Sequence, residues 1–322
     1  MTPTDGIATL PTPVQRMDRL AAALGTRTTI LVKRDDLTGL ALGGNKARKL
    51  ALLLDDARAT GADCLVTGGG AQSNHARITA AAARRAGLDC HLALAGDEPG
   101  SREGNLLLDE LFGATLHFDG ADGYYEIETA IDALADRLRA DGRQPYPIPV
   151  GGASTIGVAA YALAVDELRG QLDADPDWCV VADGSGGTHA GLIAGFGPAS
   201  RCTVLGVDVG TRPDLDTMVP TLAREAAQHL GREAPERAAH VDHAHVGGGY
   251  GVLSVECLAA LRLVARTEGL VLDPVYSGKA MAALIGAVRD GAIAPDHTVV
   301  FWATGGSPAL FARRYEATLT GP

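Results

Sequence analysis

The stretch WCVVADGSGGTHAG, residues 178–191, passes from a continuous apolar run through a glycine-rich turn into small residues at helical spacing. An uninterrupted apolar run of this kind suits a strand covered on both faces, and the glycines end it sharply. The order strand, glycines, polar residue, helix recurs at VTGGGAQSNHAR and WATGGSPAL. Further apolar runs are TILVKRDD, CLVTGG, CHLALAG, ATLHFDG, TVLGVDVG and TVVFWATGG. They alternate with Ala- and Leu-rich stretches such as NKARKLALLLDDARATGA and HARITAAAARRAGL. This alternation predicts an α/β protein with a largely parallel sheet, or two such sheets. It also sets several helix starts at strand ends, where open α/β sheets bind their ligands.

The chain has 322 residues, 46% of them hydrophobic and 21% charged, which is enough for one large or two modest α/β units. With 39 acidic residues against 28 Lys and Arg, the net charge is −11. Such a balance argues against a nucleic-acid binder, which needs a basic footprint, but leaves anionic small molecules open. Cys64, Cys90, Cys179, Cys202 and Cys257 form no C-x-x-C pair and are expected as buried, reduced thiols. The N-terminal segment MTPTDGIATLPTPVQRMDRL lacks a basic start followed by an apolar core, and no apolar run is long enough to span a bilayer. A cytoplasmic, soluble protein with no membrane partner is expected. Residues 142–155, GRQPYPIPVGGAST, read as a loop suited to a domain crossing.

In GGNKARKL, residues 43–50, Lys46 and Lys49 stand where a helix dipole favours acids. A lysine near a positive helix end and a second lysine has its ammonium disfavoured, which suits the free amine of a Schiff base. A solvated surface lysine is the plain alternative, and the adjacent glycines argue against it because they suggest a close approach to the backbone. In DGSGGTHAG the glycines and the following helix make a cradle suited to phosphate, or else an ordinary tight turn. The stretch departs from G-x-G-x-x-G at His189, although Asp208 stands where a ribose-binding acid belongs, so a dinucleotide site is the runner-up.

Ser73 and Asn74 fit either helix capping or the reception of a carboxylate. Tyr250 in GGGYGV and Tyr276 in LDPVYSGKA are half-buried aromatics, ring-stacking groups or proton donors. Thr304 in ATGGSPALF is a turn residue or a hydroxyl for a ring nitrogen. The run HVDHAH (His240, Asp242, His243, His245) is expected to be a solvated loop, with no metal bound.

A Schiff-base lysine, a phosphate cradle, a carboxylate-type helix start and a hydroxyl for a ring nitrogen are the parts of a pyridoxal-phosphate site. The sequence resembles the fold-type-II pyridoxal-phosphate enzymes of the D-cysteine desulfhydrase and 1-aminocyclopropane-1-carboxylate deaminase group. The motifs that carry the resemblance run along nearly the whole chain: LPTPVQRMDRL, KRDDLTGLALGGNKARKL, QSNHARITAAAARRAGL, GNLLLDELFGA, IPVGGAS, DGSGGTHAGL, LDPVYSGKAM and TGGSPALF. It implies a tryptophan synthase β-like α/β fold of two three-layer domains with mostly parallel sheets. Residues 1–46 and 156–322 would form the large, cofactor-binding domain and residues 47–155 the small one, in a homodimer.

The resemblance further implies Lys46 as the Schiff-base lysine and Lys49, Gly186, Gly187 and Thr188 as phosphate ligands. Asn74 would hold the cofactor's phenolic oxygen and Thr304 its pyridine nitrogen. Ser73 would meet the substrate carboxylate and act in proton transfer, and Tyr250 and Tyr276 would be catalytic. Asn74, His75 and Ser277 would also border the substrate, a small amino acid. The implied reaction is α,β-elimination, with D-cysteine giving pyruvate, ammonia and sulfide. Ser277 stands where the deaminases carry a glutamate, and His75 where they tend to have glutamine, which weighs against ring opening. SNHARITAAAARRAGLDCHLAL also resembles the L-cysteate sulfo-lyases. From other classes, an NAD(P)-binding oxidoreductase and a non-catalytic ligand-binding protein stay open.

Overall fold

The computed structural model describes residues 6–320. Residues 1–5 and 321–322, which include the start of the segment read for a leader and both ends of the expected large domain, lie outside the described residues.

Two sheets organise the chain. The larger runs in the order β1 (Val14–Arg16), β2 (Thr29–Lys33), β10 (Thr298–Trp302), β7 (Trp178–Asp183), β8 (Thr203–Asp208) and β9 (His240–Asp242). Of its pairs only β1–β2 is antiparallel. The smaller sheet, in the order β5 (Thr115–Phe118), β4 (Asp89–Leu94), β3 (Cys64–Gly69) and β6 (Pro145–Pro147), is parallel throughout.

Successive strand residues face opposite sides of a sheet, so an all-apolar strand must be covered on both. In β7, Val180 packs into a core shared with α1 (Asp18–Leu24), α9 (Val255–Glu268) and α10 (Ser277–Arg289). Its neighbours Cys179 and Val181 face α6 (Thr155–Arg169), α7 (Gly187–Phe196) and α8 (Leu215–His229). In β3, Leu65 packs with α2 (Lys46–Ala59), α3 (Asn74–Ala86) and α4 (Gly104–Leu111), while Val66 packs with α5 (Tyr124–Ala140). Each sheet is therefore the middle of three layers. A last helix, α11 (Arg313–Thr320), follows β10.

Helix α2 lies at the seam between the two sheets. Its Leu50 and Leu53 belong to the smaller sheet's core, while Arg48 turns to the larger one. Arg48 Nη2 pairs with Asp35 Oδ1 at 2.9 Å and with Glu167 Oε1 of α6 at 2.8 Å. Asp35 also accepts from Tyr161 Oη at 2.6 Å and Trp302 Nε1 at 2.8 Å. Burial works against the Asp35 charge, but Arg48 and these donors hold its carboxyl below the usual range. A buried, fully bonded ion pair of this kind adds little net stability and much geometric definition. Here it fixes the first turn of α2, and with it Lys46 and Lys49.

The 142–155 stretch is not a loop throughout, because residues 145–147 form β6 and pair with β3. All five cysteines are buried and unpaired. Among the described residues no helix is long and apolar enough to cross a membrane.

Candidate active site

The C-terminal ends of β3 and β7 and the residues just past β10 open onto one cavity of about 270 Å³ between the sheets. Lys46, Ser73, Asn74, His75, Gly186, Gly187, Thr188, Tyr250, Tyr276 and Thr304, sought across more than 250 residues of sequence, all line it. Lys49 stands directly behind its wall, and Ser277 does not face it.

Lys46 is the first residue of α2 and reaches into the cavity, with Nζ 3.2 Å from the Gly151 carbonyl oxygen. The protein around it strips water from the ammonium and lowers its pKa to about 8, with the Asp183 carboxylate opposing the shift. Burial is the main cause, whereas the sequence had suggested the helix end and Lys49. Lys49 is wholly buried and donates to the same carbonyl at 3.0 Å. Burial first, and then the charge of Lys46, push its ammonium well below the lysine range. A lysine of lowered basicity holds part of its population as the free, nucleophilic amine, and an anion placed beside the pair would favour the charged form again.

The anion's place is the start of α7. Gly186 sits in left-handed backbone (φ +83°), which glycine adopts without strain, and turns the chain from β7 into the helix. No side chain caps this helix and its first turn holds no acid, so its leading amides and dipole have no counter-charge of their own. A Cβ on Gly187 would stand 2.6 Å from Lys49 Nζ and 3.1 Å from Ala153 Cα. Uncapped amides, a buried lysine and a glycine with no room for a side chain make this corner suited to an anion. Asn45 Nδ2 donates to Thr188 Oγ1 at 3.1 Å and ties this helix start to α2.

Ser73 caps α3, its Oγ accepting from Ala76 N at 3.2 Å, which leaves the hydroxyl proton to donate. Capping and carboxylate reception are thus compatible in one residue. Asn74 Oδ1 is engaged by Asn105 Nδ2 at 2.9 Å, so its NH2 is the end available to a ligand. Across the cavity Tyr250 and Tyr276 share a hydrogen bond between their hydroxyls at 2.6 Å. Burial raises both phenols, Tyr276 well above the usual value, so the pair stays protonated. Thr304 presents its side chain to the cavity while its carbonyl accepts from Asn45 N at 3.0 Å.

His75 is held by Thr67, whose Oγ1 lies 3.0 Å from Nε2 and donates to the Ile148 carbonyl oxygen at 2.8 Å. The Thr67 oxygen must then accept from His75, which places the ring proton on Nε2 and leaves Nδ1 as a bare acceptor. Burial and the two lysines hold this ring neutral. Ser277 Oγ donates to Asp273 Oδ1 at 2.5 Å and accepts from Asp273 N at 2.8 Å. Its hydroxyl is spent on the turn that carries Tyr276.

Three contributors escaped the sequence reading. Asp183, at the end of β7, accepts from His189 Nδ1 at 2.7 Å and supplies the negative charge opposite Lys46. Asp273 Oδ2 accepts from the amides of Val275 and Tyr276, each at 2.9 Å, and so fixes the tyrosine's turn. The Asp-Pro pair of LDPVY was a legible turn signal for it. Arg212, beyond β8, stacks its guanidinium 4.5 Å from the Tyr124 ring centroid and donates to Tyr124 Oη at 3.1 Å. Nothing local in the sequence marks that pair. His243 and His245 of HVDHAH face Asp208 and Asp242, and among the described residues no group of His, Cys, Asp and Glu is arranged to hold a metal.

The geometry has counterparts among known proteins. The family described as "Pyridoxal-phosphate dependent enzyme" matches residues 7–305. A D-cysteine desulfhydrase of Klebsiella pneumoniae is 40% identical over 312 residues, covering 94% of this chain and 93% of that protein. A 1-aminocyclopropane-1-carboxylate deaminase of Burkholderia cenocepacia is 38% identical over 318 residues, covering 94% of each. A crystal structure described as an ACC deaminase homologue superposes with a TM-score of 0.90 at 38% identity, covering 98% of this chain and 95% of that one.

Proposed function

The chain belongs to the pyridoxal-phosphate dependent enzymes, and on that premise we propose that this lyase converts D-cysteine to pyruvate, ammonia and sulfide. The observation that carries the proposal is the facing of two groups across the cavity: a lysine amine with pKa about 8 and a protonated tyrosine pair. One is suited to take a proton from Cα, and the other to give one to a group leaving Cβ.

When bound, pyridoxal phosphate supplies an electron sink that acidifies the α-hydrogen of the amino acid joined to it. Lys49 and the start of α7 would hold its phosphate, the NH2 of Asn74 would meet the phenolic oxygen, and Thr304 the ring nitrogen. Ser73 donates a hydrogen bond from its hydroxyl to the substrate carboxylate and so aligns Cα with Lys46. Lys46 Nζ takes the α-proton as the C–H bond breaks. The Cβ–S bond then breaks with its electron pair going to the SH group, which gains a proton from the Tyr250–Tyr276 pair and leaves as hydrogen sulfide. The released three-carbon enamine takes up water and yields pyruvate and ammonia.

Ser277 supports a thiol over a cyclopropane ring. Its hydroxyl is bound to Asp273, so that position offers the cavity no carboxylate. The test is keto-acid release from D-cysteine, L-cysteine, L-cysteate, β-chloroalanine, D-serine and 1-aminocyclopropane-1-carboxylate, together with Lys46→Ala. D-cysteine is expected to lead the panel, and Lys46→Ala to abolish both turnover and the lysine label fixed by borohydride. A panel led by L-cysteate or the cyclopropane acid overturns the substrate, and full sulfide release by Lys46→Ala overturns the lysine.

A further inference from the structure

Behind Asn74 lies a buried set of polar side chains on α3 and α4 whose donors and acceptors can be assigned from chemistry alone. Arg77 is wholly buried and can only donate. Its Nη1 lies 2.8 Å from Asn105 Oδ1 and 3.3 Å from Asn74 Oδ1, and its Nη2 donates to the Gly43 carbonyl oxygen at 2.7 Å. The other end of the Asn105 amide lies 2.8 Å from the Gln72 carbonyl oxygen, which can only accept. Asn105 thus sits between a pure donor and a pure acceptor, and one orientation of its amide satisfies both.

That orientation decides the next amide. The Asn105 NH2 lies 2.9 Å from Asn74, so the Asn74 atom facing it must be the carbonyl oxygen, where Arg77 also points. The Asn74 NH2 is left to face away from both. Asn105 is itself anchored, since its backbone N–H donates to Gln72 Oε1 at 2.9 Å and Gln72 Nε2 donates to the Glu103 carbonyl oxygen at 3.0 Å. Asp109 on α4 is the acid that acts most on Arg77, although burial pushes its own carboxyl up to about 8.

We propose that Asn105 and Arg77 are positioning residues for the cofactor ring, locking the Asn74 amide with its NH2 toward the ring's phenolic oxygen. The proposal rests on the assignment of Asn74 to that oxygen. A donor there stabilises the phenolate, whereas a flipped amide would set one oxygen against another. Arg77 also holds Gly43, three residues before Lys46, so the same guanidinium fixes the approach to the Schiff-base lysine.

The test is a double-mutant cycle on the holoenzyme and on the chain resolved of cofactor. Asn105→Asp keeps the shape and the bond from Arg77 but turns an acceptor toward Asn74. Asn74→Ala and Asn105→Asp are each expected to weaken pyridoxal-phosphate binding about tenfold or more. Each is also expected to move the midpoint of the visible band to higher pH, because a less stabilised phenolate holds the shared proton more tightly. The double variant is expected to match Asn74→Ala alone. Arg77→Lys, which keeps the charge and loses the fork, is expected to shift the band in the same direction and carries the test should Asn105→Asp not fold. A shift by Asn105→Asp that persists in the Asn74→Ala background, or none in the parent, overturns the positioning role. If Asn74→Ala changes neither the affinity nor the band, the assignment of Asn74 itself falls, and the proposal with it.

Discussion

At the scale of the residue, the site turns on how little water Lys46 keeps. An ammonium lowered to about 8 by burial gives up its proton as pH rises through that value, where an ordinary lysine does so near 10.4. Only the free amine condenses with an aldehyde. Uptake of pyridoxal phosphate by the resolved chain, followed by its visible band, is therefore expected to accelerate between about pH 7 and 9 and then level off. A rate still climbing toward pH 10 would show that burial does not tune this lysine. Lys46 was legible in the sequence because glycines and a second lysine mark it locally. Asp183, Arg77 and Asn105 were not, because each works through partners distant in the chain, and an Asn or Asp in a helix or at a strand end has no local signature.

At the scale of the element, the strand-to-helix turns carry the site. The apolar runs read as β2, β3, β4, β7, β8 and β10 are strands covered on both faces or nearly so, whereas β5, at the edge of the smaller sheet, is only partly covered. The strand β6 was hidden by Pro145 and Pro147, which usually break sheets. It is tolerated at the edge of the smaller sheet, where the missing N–H groups are not needed by a second neighbour. The start of α7 is more demanding. Gly187→Ala puts a methyl group into Lys49 Nζ and Ala153, while its gain in helix propensity offsets part of any loss in stability. The variant is expected to melt close to the parent and to bind pyridoxal phosphate at least about tenfold more weakly. Unchanged affinity in a titration of the resolved chain would remove α7 from the phosphate site.

At the scale of the whole molecule, the cavity exists because two sheets meet, and two of the contacts between them bear directly on it. The Asp35–Arg48–Glu167 network at the base of α2 is buried and rigid. The Arg212–Tyr124 stack at the cavity wall joins α5 to the segment after β8 and is the lighter of the two. Arg212→Gln is expected to raise KM for the amino acid about tenfold with a smaller change in kcat, from the loss of roughly 1–2 kcal/mol of stacking. It is also expected to speed amide exchange across residues 119–124. Tyr124→Phe, which keeps the ring, is expected to do less. Equal KM values for parent and Arg212→Gln would show that the stack does not hold the sheets over the substrate. The position of β10 has a consequence of a different kind. The strand made last lies between β2 and β7, in the middle of the larger sheet, whereas the smaller sheet is complete within residues 64–147. During translation the smaller sheet can assemble before β7, β8 and β10 have been made. The larger sheet keeps an open slot until residues 298–302 leave the exit tunnel. Thr304 comes two residues after that strand, so a nascent chain has Lys46 long before the cavity between the sheets can close around it.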